Sequence, residues 1–203
     1  LRRDLYKYVI YSGKEKEIKG IQNSYPEVLN NLTATDAEKI IEFTNNHAIK
    51  YERFNSQLLA LGAVGYYLNE PCFKKYETIL LQEIREWFDN DILISNPAQS
   101  IFKCLSGISH RISQDTIAEI CCLFIEKHFS RWYTDLFGFI SKHVDLNKMS
   151  KQTAEKLISH ILEVFENEKE RNQVKYAPAF IHVLRNQDIE LTEELDRKTS
   201  KYL

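Results

Sequence analysis

Apolar residues recur every three or four positions along most of the chain, which is the spacing of one face of an α-helix. The stretch SQDTIAEICCLFIEKHF, which begins at Ser113, shows this pattern most clearly. A second stretch, SKQTAEKLISHILEVFE, begins at Ser150 and repeats the apolar positions 37 residues later (150 − 113). The pattern predicts two similar amphipathic helices, each opened by a serine whose hydroxyl can cap the first turn.

Each of these stretches follows a shorter apolar one. PAQSIFKCLSGI begins at Pro97, and WYTDLFGFISKHV begins at Trp132. Proline suits the first turn of a helix, because its missing N–H has no partner there in any case. The sequence therefore predicts a repeated unit of helix, short turn and helix.

The same unit extends in both directions. Upstream, SQLLALGAVGYYLNEP and CFKKYETILLQEIREWF supply a pair of helices; downstream, APAFIHVLRNQD and LTEELDRKTSKYL supply a shorter and more polar pair. Equivalent first-helix positions lie 42, 35 and 44 residues apart, at Leu59, Ile101, Leu136 and Phe180. A spacing near 40 is typical of arrays of helical hairpins, and it predicts about four hairpins in residues 56–203.

Residues 1–55 are less regular. TATDAEKIIEFTNNHAIKYERF, which begins at Thr33, predicts a helix with Asp36 as its cap, whereas the sequence before it fits a short helix or a strand. No long Gly/Ser/Pro linker separates this region from the rest, so residues 1–203 are predicted to be a single all-helical domain. Because the sequence does not begin with Met, we expect a fragment of a longer protein.

The paired helices, their spacing, Pro97 and the serine-led second helices resemble HEAT or armadillo-like repeats. The chain departs from the HEAT pattern in the turn, where Asp115 of one unit corresponds to Gln152 of the next. The resemblance implies an α-solenoid, a curved stack of hairpins with an extended surface for a protein or nucleic-acid partner. The alternative fold is a non-repetitive helical bundle, which the same apolar periodicity also permits.

The amino-acid composition narrows the possible classes of fold and function further. Only 6 glycines and 4 prolines occur in 203 residues, which disfavours all-β folds and glycine-loop nucleotide folds. The net charge of −2 does not indicate a polyanion or an anionic membrane as partner. No apolar run is long enough for a membrane span and no signal peptide is visible, so we expect an intracellular protein, cytoplasmic or nuclear.

The residue patterns of common active sites are missing from the sequence. No two of the six histidines are three or four positions apart, as helical metal ligands would be. GISHR, from Gly107, lacks the closing glycine of the serine-hydrolase elbow, and no phosphate-binding or dinucleotide-binding loop occurs. We therefore expect a non-catalytic protein without catalytic, metal-ligating or cofactor-binding residues.

The stretch SRWYTD, which begins at Ser130, is the best candidate for a binding site. Arg131, Trp132 and Tyr133 are of the types enriched at binding hot spots, although an aromatic residue here can also fill the seam between hairpins. The sequence thus favours a protein–protein interaction or scaffolding module. The alternative is a HEAT-like nucleic-acid-binding or DNA-repair domain, which requires Lys74, Lys75, Lys148 and Lys151 to converge on one face.

Overall fold

The computed structural model describes residues 32–47, 53–89, 97–127, 133–167, 181 and 190–201. Every regular element in these segments is helical, and none of them contains a strand. The all-α prediction is therefore confirmed for this part of the chain. Residues 5–11, for which the sequence allows either a helix or a strand, lie outside the described residues.

Eight α-helices follow one another in the described segments. They are α1 (Ala34–His47), α2 (Arg53–Val64), α3 (Glu70–Asp89), α4 (Pro97–Ile108), α5 (Gln114–Glu126), α6 (Tyr133–His143), α7 (Lys151–Asn167) and α8 (Glu193–Thr199). Two short 3-10 helices follow α2 and α6, at Gly65–Tyr67 and Leu146–Lys148. The predicted hairpins correspond to α2–α3, α4–α5 and α6–α7. Helix α8 corresponds to the second helix of the last predicted pair, whose first helix, apart from residue 181, lies outside the described residues.

Helix α1 begins with a reciprocal cap. The Thr33 hydroxyl oxygen accepts a hydrogen bond from the Asp36 amide at 3.2 Å, and Asp36 Oδ2 accepts one from the Thr33 amide, also at 3.2 Å. Thr33 is therefore the N-cap, and the prediction that Asp36 fills this position is wrong. Asp36 takes the third helical position, where its carboxylate completes a capping box in place of the more usual glutamate.

The chain divides into two compact units, residues 1–108 and 109–203. Unit 1 contains α1–α4, and unit 2 contains α5–α8. Each unit buries its own set of large apolar side chains. In unit 1 these include Phe73, Phe88, Ile40, Leu58, Ile84 and Leu105, and in unit 2 they include Phe124, Phe137 and Phe165.

A close helix crossing in unit 1 joins α2 and α4, the first helices of two successive predicted hairpins. A Cβ atom added to Gly62 would lie 2.7 Å from Cys104 Cα, and one added to Gly65 would lie 2.7 Å from Ile108 Cγ2. These contacts join residues 42 and 43 positions apart (104 − 62 and 108 − 65), so the two helices run in the same direction. Glycine is required at Gly62 because the backbone of α4 occupies the space of a side chain.

In unit 2 the corresponding pair is α5 and α7, two successive second helices. Asp115 Oδ1 near the start of α5 accepts hydrogen bonds from the Ser150 amide at 3.1 Å and the Ser150 hydroxyl at 2.8 Å, across 35 positions. At the other end of α5, Glu126 Oε1 lies 3.1 Å from His160 Nε2, across 34 positions (160 − 126). The nearly constant offset shows that α5 and α7 also run in the same direction.

A similar contact between a carboxylate and a cap residue joins α7 and α8. Glu155 Oε1, in the second turn of α7, accepts a hydrogen bond from the amide of Thr192 at 3.0 Å, across 37 positions. Thr192 is the N-cap of α8, as Ser150 is the residue before α7. A carboxylate near the start of α5 therefore holds the residue before α7, and one near the start of α7 holds the N-cap residue of α8.

A side chain of α5 also fixes the end of α6. The Gln114 amide donates to the His143 carbonyl oxygen at 3.2 Å, and its oxygen accepts from the Asp145 amide at 2.9 Å. The His143 carbonyl is one of the groups at a helix C-terminus that have no partner within the helix, and the Asp145 amide lies two residues beyond it. The start of α5 thus contacts the end of α6 as well as the start of α7.

We expect Asp115→Ala to lower the free energy of unfolding by about 1 kcal/mol, because two hydrogen bonds to Ser150 are lost at a partly exposed site. Ser150→Ala should cost a similar amount. The double variant should cost clearly less than the sum, since both changes remove one shared interaction. Urea unfolding of the four proteins measures this coupling, and fully additive losses would contradict the contact.

The contact between Asp115 and Ser150 also predicts that the stability of the fold depends on pH. Hydrogen bonds from Thr153 and Ser150 hold the pKa of Asp115 below its ordinary value of 3.8. A carboxyl whose pKa is lower in the folded state contributes stability above its unfolded pKa, and this contribution is lost as the pH falls through the folded pKa. The cost of Asp115→Ala should therefore be largest above about pH 4 and shrink in more acidic solution.

Candidate functional site

A small cleft opens in unit 1 where α1, α2 and α3 meet. Its cavity has a volume of about 20 Å³, enough for about one water molecule. Five of the side chains that line it are apolar and four are polar. The apolar residues are Ile41, Leu58, Leu61, Ile79 and Leu80, and the polar residues are Asn45, Gln57, Tyr76 and Glu83.

The polar side chains form a chain of contacts across the three helices. We assign the nitrogen of the Gln57 amide to the atom that faces Glu83, because a carboxylate can only accept. In this orientation Gln57 on α2 donates to the two Glu83 oxygens of α3 at 2.8 and 3.2 Å. The Gln57 oxygen then lies 2.8 Å from the Asn45 carboxamide on α1, and Asn45 donates to it once its amide nitrogen takes the facing position. One carboxamide therefore links all three helices at the cleft.

Tyr76 is the unusual member of the cleft. Its side chain is 5% exposed, and its hydroxyl is buried without a hydrogen-bond partner among the described residues. Burial, together with the nearby carboxylates of Glu42 and Glu38, raises the pKa of Tyr76 to about 12. The hydroxyl is therefore neutral at physiological pH. A buried hydroxyl without a partner is destabilising by about 1–3 kcal/mol, so its presence calls for an explanation.

The surroundings of the cleft are weakly acidic. Helix α1 carries three acidic residues and one basic residue, and α3 carries five and three. Lys75 lies close to Tyr76, with its Nζ 5.3 Å from the centre of the Tyr76 ring. Lys74 is bound at 2.7 Å to the buried Glu77. The cleft therefore combines oxygen acceptors, apolar walls and a mild negative field.

The structure describes only one of the three predicted partner-binding residues. Tyr133 is 4% exposed, and its ring lies edge-on to Phe137 with the centroids 6.0 Å apart. Arg131 and Trp132 lie outside the described residues. The prediction that Arg131, Trp132 and Tyr133 bind a partner therefore stays a prediction.

Unit 2 holds a second polar cluster, between α5 and α7. Glu126 Oε1 lies 3.0 Å from Lys156 Nζ and 3.1 Å from His160 Nε2. Burial raises the pKa of Glu126, but the hydrogen bond and charge of Lys156 and the neighbouring His160 outweigh it and lower the pKa overall. The ionised Glu126 carboxylate therefore pairs with Lys156 and His160 of α7, and the cluster joins α5 to α7.

The described cysteines do not form a reactive or metal-binding group. Cys104, Cys121 and Cys122 are buried and free, and burial raises the pKa of Cys104 and of Cys122 to about 12. Cys72 is half-buried, and its thiol donates to Glu38 at 3.3 Å. Within the described segments, no three His, Cys, Asp or Glu side chains are grouped as metal ligands would be. Nor is any helix there both long and apolar enough to cross a membrane.

The sequence alone did not predict the cleft, although the spacing of its apolar and polar residues contains an indication of it. Asn45 lies four positions after Ile41 and Glu83 lies four after Ile79, so each polar residue continues the apolar stripe of its helix. Polar residues in such places are half-buried and need partners. The sequence does not show that Asn45, Gln57 and Glu83 meet, because the contact depends on how three helices pack.

Comparison with protein-family models, curated proteins and solved structures found no match to this chain.

Proposed function

We propose that the chain is a non-catalytic protein–protein interaction or scaffolding module, built from helical hairpins stacked in chain order. The observation that carries the proposal is the regular offset between corresponding helices. First helix packs on first helix through Gly62 and Cys104, and second helix packs on second helix through Asp115 and Ser150. Both pairs run in the same direction, as neighbouring units of a HEAT-like array do.

The junction of α7 and α8 supports the same arrangement. Glu155 holds the cap residue Thr192 as Asp115 holds Ser150, which is the contact expected if α8 is the next second helix of the stack. This helix is short and polar, and of its described side chains only Leu195 and Thr199 are buried. A polar outer helix is typical of the terminal repeat of a solenoid. In a stack of this kind most side chains hold neighbouring units together, and the remaining helix faces are free to bind a partner.

Two of the four lysines on which the nucleic-acid alternative depends already form ion pairs. Lys74 is paired with Glu77 at 2.7 Å, and Lys148 is paired with Asp145 at 2.9 Å. A phosphate backbone would have to compete with these carboxylates, and affinity for nucleic acid depends on unpaired positive charge. We therefore propose a protein as the partner.

Affinity capture followed by reconstitution tests this function. The tagged chain is expressed beside a Gly107→Ala variant, in which a Cβ atom would overlap the Gly62 carbonyl oxygen at the crossing of α2 and α4. Each captured protein is then purified and mixed with the chain. We expect at least one protein to form a stoichiometric complex with the wild type at micromolar concentration and to bind the variant at least tenfold more weakly. The absence of any reconstituted complex, or salt-dependent binding of duplex DNA instead, would contradict the proposal.

A further inference from the structure

We draw no further inference here: the strongest candidate, the surface patch at the short 3-10 helix Gly65–Tyr67 after α2, leaves Tyr66 62% exposed, but nothing in the structure shows what covers it.

Discussion

Gly107→Ala is expected to lower the free energy of unfolding by about 3 kcal/mol, because the added methyl group would meet the backbone of a neighbouring helix. A Cβ atom at Gly107 would overlap the Gly62 carbonyl oxygen and lie 2.8 Å from the Gly62 carbonyl carbon. Neither atom belongs to a side chain that can rotate away, so α2 and α4 would have to move apart. Urea unfolding followed by circular dichroism measures the loss.

Gly138→Ala is the matched control for this prediction. Gly138 lies inside α6, and a Cβ atom added there would have no atom within 4 Å. Alanine should therefore stabilise the helix by up to about 1 kcal/mol, because it favours helical backbone more than glycine does. Equal effects of the two substitutions would mean that α2 and α4 do not cross at Gly107.

Phe165→Ala is expected to cost about 3–5 kcal/mol, the usual range for removing a buried aromatic ring from a core. Phe165 on α7 is 2% exposed, and its ring packs edge-on to Phe137 on α6 at a centroid distance of 6.2 Å. The substitution removes apolar contact area between the two helices of one hairpin and leaves a cavity. The free energy of unfolding, measured with urea, gives the cost.

Phe165→Leu is the conservative counterpart and should cost much less, because most of the volume is kept. In a double-mutant cycle, Phe137→Leu and Phe165→Leu should show a coupling of about 0.5–1.5 kcal/mol from the edge-on ring contact. Zero coupling would mean that the two rings do not touch, and the pairing of α6 with α7 would need to be revised.

Local periodicity was sufficient to predict most helices. The serine-led stretch from Ser113 became α5, where the Ser113 hydroxyl accepts from the Thr116 amide at 3.1 Å, and Pro97 became the first residue of α4. The choice of cap failed at Asp36, because Thr33 and Asp36 are both good N-cap residues and the sequence does not show after which of them the helix begins. These features depend on neighbours within one turn, which a sequence displays directly.

Contacts between helices were not predictable from the sequence. Gly62 and Gly107 are ordinary helix-weakening residues in the sequence, and only the crossing of α2 and α4 explains them. In the sequence Asp115 resembles the turn aspartate of HEAT repeats. That it accepts hydrogen bonds from Ser150 becomes clear only when the positions of both helix starts are known. The cleft at Tyr76 depends on three helices at once, so periodicity along any one of them does not reveal it.

The most direct test of the central claim is the set of NMR distance contacts between successive hairpins in the full chain. The account predicts contacts between Gly62 and Cys104, between Asp115 and Ser150, and between Glu155 and Thr192, at offsets of 42, 35 and 37 residues. All three follow if corresponding helices stack in chain order. Contacts that instead join helices from non-successive hairpins, with these three missing, would contradict the stacked arrangement and favour a single helical bundle.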